Sequence, residues 1–191
     1  MTFIAKRFTE LLFNNGIILE EDKPIYVYGT EITLNFFITA LSMILIGCFL
    51  GQFWSTTIYI LIFTSLRETA GGYHAKTYLT CYLASLFTYC SIIFTYILVP
   101  YENKAIIYII FLAIGNIYLY LFAPTQNKVN KKTQDELTIS RVKMLRRMVI
   151  IDVISIALFI TGLLNELYFI FSETLIAVAI LSLINQLKLR R

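Results

Sequence analysis

Six apolar runs divide this chain: Ile32 to Gly51, Phe53 to Leu66, Cys81 to Val99, Ala105 to Ala123, Met148 to Leu164 and Leu167 to Leu187. Most approach the roughly 20 residues that a helix needs to cross a bilayer core. Backbone amides and carbonyls in lipid have no water to bond, so such runs must close their hydrogen bonds within helices. The 191 residues are 58% hydrophobic and only 15% charged, with a mean hydropathy of +0.74. Soluble domains rarely have that balance. The expected fold class is therefore an all-α integral membrane protein, a six-transmembrane-helix bundle forming a single domain over residues 1–191. The second run is short, and length alone would also allow it to re-enter rather than cross.

Charge placement argues for crossing. With six spans and a cytoplasmic N-terminus, every one of the 16 basic residues except Lys104 falls on the inside. That is a strong positive-inside bias, and it collapses if the second run fails to cross. Both termini are then cytoplasmic, and the loop after the second span faces the cytoplasm. Residues 1–22 lack a continuous apolar stretch, being interrupted by Lys6, Arg7, Glu10 and Asn14, so no cleavable signal is read there. Phe3, Ile4, Phe8, Leu11 and Leu12 recur at helical spacing, which predicts an amphipathic helix at the membrane surface. Short connections make neighbouring spans antiparallel hairpins. One long polar loop is expected from Pro124 to Arg147. It carries Lys128, Lys131, Lys132, Arg141, Lys143, Arg146 and Arg147 against Asp135 and Glu136. Such a loop suits anionic head groups, and equally an acidic ligand.

Between the second and third runs lies the stretch from Arg67 to Cys81, which holds Glu68, the pair Gly71-Gly72 and the only histidine, His74. A single histidine excludes a two-histidine zinc protease helix. Only Asp152 among the aspartates lies within a span, so an intramembrane aspartate pair cannot form. No serine nucleophile elbow and no phosphate-binding Gly-x-x-x-x-Gly-Lys loop occurs. Cysteine–histidine nucleophilic catalysis survives. An imidazole can take the thiol proton and later return it to a leaving amine. Gly71-Gly72 would allow a sharp turn close to a peptide substrate, and free amides near it would face a developing oxyanion.

Geometry constrains the pair. Residues seven apart on one straight helix are separated by about 10.5 Å of rise, too far for a hydrogen bond. The helix carrying Cys81 must therefore start after His74 if the two act together. His74 as a snorkelling boundary residue and Cys81 as a buried apolar thiol stay open on spacing alone. Cys48 and Cys90 lie inside apolar runs and read as small apolar groups. An odd cysteine count gives no disulfide framework. Asp152, just inside its span, calls for a partner: Arg146, Arg147 or another boundary cation, or else His74, which Asp152 or Glu68 would then orient.

The block Arg67-x-x-x-Gly71-Gly72-Tyr73-His74-Ala75, followed by Cys81, resembles the AgrB family, the accessory gene regulator B proteins of Gram-positive quorum sensing. The likeness extends to the amphipathic N-terminus, Ala123-Pro124 at the end of the fourth span, and the basic loop. It implies a membrane-embedded cysteine endopeptidase of the cell membrane, with Cys81 as nucleophile and His74 as general base and acid. The implied partner is an AgrD-type propeptide. Its acidic C-terminal tail is removed, and the acyl-enzyme is resolved into a cyclic thiolactone or lactone. Lys131 and Lys132 match the family's basic loop and, with nearby Lys128, become candidates for holding the tail. Arg67 matches a motif arginine and, with Gly71 and Gly72, supports the loop; its implied role is structural anchoring at the head groups. Membrane lipid is a second partner. No cofactor, metal or nucleic acid is expected. A homodimer is an expectation from size alone, and no Gly-x-x-x-Gly interface motif is read in the sequence to support it. The alternative function is a small multispan exporter or membrane chaperone that moves a peptide without cutting it.

Overall fold

The computed structural model describes residues 2–71, 77–126, 133–162 and 167–190. Seven α-helices and no strand occur among them: α1 Thr2–Asn14, α2 Lys23–Phe49, α3 Phe53–Ala70, α4 Tyr78–Leu98, α5 Tyr101–Phe122, α6 Gln134–Thr161 and α7 Leu167–Arg190. The all-α expectation holds. Four stretches are long and apolar enough to cross a membrane: Glu20–Phe49, Tyr78–Leu98, Tyr101–Phe122 and Leu167–Lys188. They mark the chain as a membrane protein. Helices α3 and α6 do not reach that standard, because α3 carries Arg67 and Glu68 in its last turn and the first half of α6 is charged.

The chain forms two compact units, residues 1–46 and 47–191. In the first, α1 ends earlier than the expected 1–22 helix. Gly16, at φ +67°, supplies the left-handed residue of a Schellman cap. There the Gly16 amide bonds Phe13 O at 2.9 Å and the Ile17 amide bonds Leu12 O at 3.0 Å. Phe3, Ile4, Phe8 and Leu11 stay exposed along α1, as an interfacial helix requires. Lys23, which opens α2, lies 3.5 Å above the Phe13 ring.

In the second unit α7 is the central element, packed against α3, α4, α5 and α6. Its Phe171, Leu175, Val178 and Ala179 meet Ile62 and Leu66 of α3, Leu119 of α5, and Met144, Met148 and Ile151 of α6. Gly115 lets α5 approach closely: a Cβ there would sit 3.2 Å from the Ile176 nitrogen. Large apolar residues such as Phe87, Leu98, Ile106 and Ile117 remain exposed on α4 and α5, a surface suited to lipid rather than water. A Gly-x-x-x-Gly step does occur, from Gly47 to Gly51, contrary to the sequence reading. Gly47 is used within the chain, since a Cβ there would run into Thr56, whose hydroxyl bonds the Tyr89 hydroxyl at 2.7 Å.

The expected polar loop from Pro124 to Arg147 is mostly helix. Thr133 and Glu136 form a capping box: the Thr133 amide donates to Glu136 Oε2 at 2.8 Å, and the Glu136 amide donates to Thr133 Oγ1 at 3.3 Å. Arg141, Lys143, Arg146 and Arg147 therefore ride on the first half of α6. Charge had been read as loop where a cap and good helix formers prevail.

Candidate active site

Helix α4 begins at Tyr78, so Cys81 lies in its first turn. Thr77 is extended and caps the helix reciprocally with Thr80, whose amide donates to Thr77 Oγ1 at 3.2 Å. Helical side chains lean toward the N-terminus, so the Cys81 sulfur leans toward the cap. Cys81 is half-buried, as is Cys90, and Cys48 is exposed. The structure thus separates Cys81 from Cys90 by position, not by burial.

Arg67 holds the end of α3. Its guanidinium donates to the carbonyl of Gly71, the residue that closes α3. Burial pushes the Arg67 guanidinium below its usual range, and the electrostatic pull of Cys81 acts the other way. Gly71 itself has φ +72° and ψ −159°, a conformation that side chains essentially exclude. Space demands the same residue, since a Cβ would lie 2.5 Å from the Thr125 carbonyl oxygen.

The segment after α5 is packed onto this turn. The Thr125 amide donates to Ala70 O at 3.0 Å. Asn185 of α7 donates to Gln126 O at 2.9 Å and to Thr125 Oγ1 at 3.3 Å, and both Asn185 and Thr125 are buried. Next along α7, Gln186 donates to Phe122 O at 3.0 Å, while Arg141 donates to Tyr120 O at 3.3 Å. Carbonyls left open at the end of α5 thereby find partners. Sequence reasoning missed Asn185 and Thr125 altogether. A polar pair, Asn185-Gln186, at the end of an apolar run was the available signal.

Two acidic residues singled out from the sequence have other partners. Glu68 Oε2 accepts from Arg147 at 2.8 Å, and Arg147 also donates to Ser65 O, tying α6 to α3. Asp152 accepts from Asn116 Nδ2 of α5 at 3.0 Å. The expected pairing of Asp152 with Arg146 or Arg147 is thus corrected, because Arg147 is engaged one turn earlier along α6. His74 and Gly72 lie outside the described residues, as do Lys128, Lys131 and Lys132, so their expected roles rest on the sequence. Among the described residues no cluster of metal-ligating side chains occurs.

A cavity of about 640 Å³ opens at the other end of the same unit, lined by Gln52, Tyr96, Tyr101, Lys104, Phe159 and Tyr168 among others. Tyr96 is about 22 Å along α4 from Cys81 at 1.5 Å of rise per residue. Lys104, the one basic residue that the positive-inside tally left over, is buried here. Its ammonium lies 4.6 Å from the Tyr96 ring centroid and is coupled electrostatically to buried Glu173.

No curated protein and no solved structure matches the chain. The family model for Accessory gene regulator B matches residues 5–187, nearly the whole sequence, and so takes in the Arg67–Cys81 block and Asn185 alike. The chain belongs to the AgrB family.

Proposed function

We propose that this chain is a membrane-embedded cysteine endopeptidase of the cell membrane that processes an AgrD-type propeptide for quorum sensing. Family membership supports involvement in AgrD processing. The observation that carries the chemistry is Cys81 in the first turn of α4, following an α3 end that Arg67 holds through its bond to the Gly71 carbonyl. In this reading six segments cross the membrane, both termini are cytoplasmic, and the site faces the cytoplasm as one domain.

The reaction follows from those groups. His74 takes the Cys81 proton, and the sulfur attacks the carbonyl carbon of the scissile peptide bond. Backbone amides near the Gly71 turn stabilise the oxyanion. The bond to nitrogen breaks as His74 returns the proton to the departing amine, leaving a thioester on Cys81 and a free C-terminal tail. A cysteine or serine of the retained peptide then attacks the thioester, which frees Cys81 and closes a thiolactone or lactone ring. Cyclisation competes with hydrolysis only where water is scarce, and a site just beneath the membrane surface provides that. Lys128, Lys131 and Lys132 hold the acidic tail by charge. Arg67 anchors the turn. Glu68 and Asp152 are weaker candidates for orienting His74, given their bonds to Arg147 and Asn116.

Intact-mass spectrometry of the protein incubated with candidate propeptides tests this reading. A peptide adduct on Cys81 is expected, absent in Cys81→Ala and retained in Cys48→Ala and Cys90→Ala. Cleavage that persists in Cys81→Ser would sink the nucleophile assignment.

A further inference from the structure

Lys104 lies in the first turn of α5, yet its side chain does not reach out to water. A lysine so near the end of a membrane helix ordinarily extends its ammonium outward. Lys104 is instead 5% exposed, with its ammonium 4.6 Å from the Tyr96 ring centroid, and it lines the cavity of about 640 Å³. That volume is within the roughly 300–1,000 Å³ typical of ligand pockets. Phe159 and Tyr168, which also line it, pack edge-on at 5.1 Å and give the space a preformed wall.

The surroundings define what would enter. The apolar stretch Tyr78–Leu98 ends at this level, and Tyr101–Phe122 and Leu167–Lys188 begin there, so the cavity lies at a membrane boundary. Leu98, Ile106 and Ile160, sequence neighbours of the lining residues Ile97, Ala105 and Phe159, are exposed as a lipid-facing rim would be. Helices α3, α5 and α7 all start here, and the starts of α3 and α5 have no side-chain cap. Helix starts carry positive partial charge, which adds to the buried ammonium in favouring an anion. Glu102 lines the same cavity and is exposed, so its carboxylate can accept from hydroxyl groups.

We propose that this cavity binds an anionic phospholipid with a hydroxylated head group, of the phosphatidylglycerol type. Lys104 and the helix starts take the phosphate, Glu102 accepts from the head-group hydroxyls, and the rings flank the glycerol backbone and upper acyl chains. A free phosphate ion would meet the charge but leave the ring-walled space unfilled. The site is about 22 Å along α4 from Cys81, taken at Tyr96, and is independent of the peptidase reading.

The test is native mass spectrometry of the full chain in detergent, titrated with phosphatidylglycerol or phosphatidylcholine. The wild type should retain one phosphatidylglycerol about five- to tenfold more tightly than phosphatidylcholine, the scale of one cation helped by helix dipoles. Lys104→Leu should abolish that preference. Ala105→Phe, which fills the cavity and keeps the charge, should abolish it too and serves if the first variant does not fold. Lys143→Gln, on the exposed first half of α6, should retain it. Phosphatidylglycerol should also raise the melting temperature of the wild type but not of Ala105→Phe, because a ligand bound only by the folded state stabilises it. Equal retention of the two lipids by the wild type would overturn the proposal. So would a preference that survives both cavity variants, since surface cations would then hold the lipid. Displacement of the lipid by inorganic phosphate would make this an ion site, and displacement by a candidate propeptide a peptide site; either result overturns the lipid assignment.

Discussion

The two ends of the unit formed by residues 47–191 use polar groups in opposite ways. Around Cys81, side chains hold backbone: Arg67 the Gly71 carbonyl, Arg147 that of Ser65, Asn185 that of Gln126 and Gln186 that of Phe122. Around Lys104, side chains hold side chains. Tyr108 stacks on Phe159 and meets Tyr168 edge-on, each with centroids 5.0 Å apart, and the Tyr108 hydroxyl accepts from Ser155 at 3.0 Å. The first arrangement fixes the path of the chain while leaving a thiol half-accessible. The second buries a cation and a carboxyl among rings. One end is built to hold a shape around something else, and the other is built to pack.

The contrast would break first at Cys81. Replacing it with alanine should reduce cleavage more than about a thousandfold, the scale on which nucleophile removal acts, with no loss of thermal stability; residual cutting by mass spectrometry would refute it. At the other end the order reverses. Lys104→Ala should lower stability by about 1–2 kcal/mol, because it removes a buried side chain and its ammonium contact with the Tyr96 ring, read as a lower unfolding midpoint in detergent. Cleavage per folded molecule should be unchanged, and a selective loss of rate would show that the two ends are not separate. Gly71→Ala lies where shape and function meet. Its positive φ and the Thr125 carbonyl should cost about 1–3 kcal/mol and reduce cleavage too, so a stable, fully active variant would contradict the tight turn. The smallest effect is expected from Glu68→Gln. Its partly exposed ion pair with Arg147 is worth under about 1 kcal/mol and weakens with salt. A collapse in kcat there would instead reveal Glu68 as the group that orients His74.

Much of this was legible in the sequence, unevenly. The long apolar runs predicted helices because lipid permits little else, and the Arg67–Cys81 block stood out because its residue types are scarce elsewhere in the chain. The first half of α6 was misread as loop. Its Thr133-x-x-Glu136 cap was visible but was outweighed by the density of charge. The partner of Asp152 was missed for a different reason. Asn116 lies in another helix and in an apolar run, and helix pairing cannot be read from the spacing within one segment. Asn185 was hidden more deeply still, since its strongest partner is a backbone carbonyl, which every residue has. Lys104 was noticed only as an exception to the charge rule. The structure shows what the exception accommodates: a lysine sheltered by Tyr96 and Glu173.

The central place of α7 bears on how the molecule is assembled. It is the final helix in chain order, yet its side chains complete the core that α3, α5 and α6 share. While the ribosome is still making it, Leu66, Leu119 and Met148 have no finished interior to enter. The apolar helices α4 and α5 can enter the bilayer before α7 exists, and the shared core closes afterwards, as two-stage membrane folding describes. Defects within α7, such as a larger residue facing Gly115, should therefore leave insertion intact and lower the yield of assembled protein. The cell's quality control would meet them as well-inserted but unassembled chains.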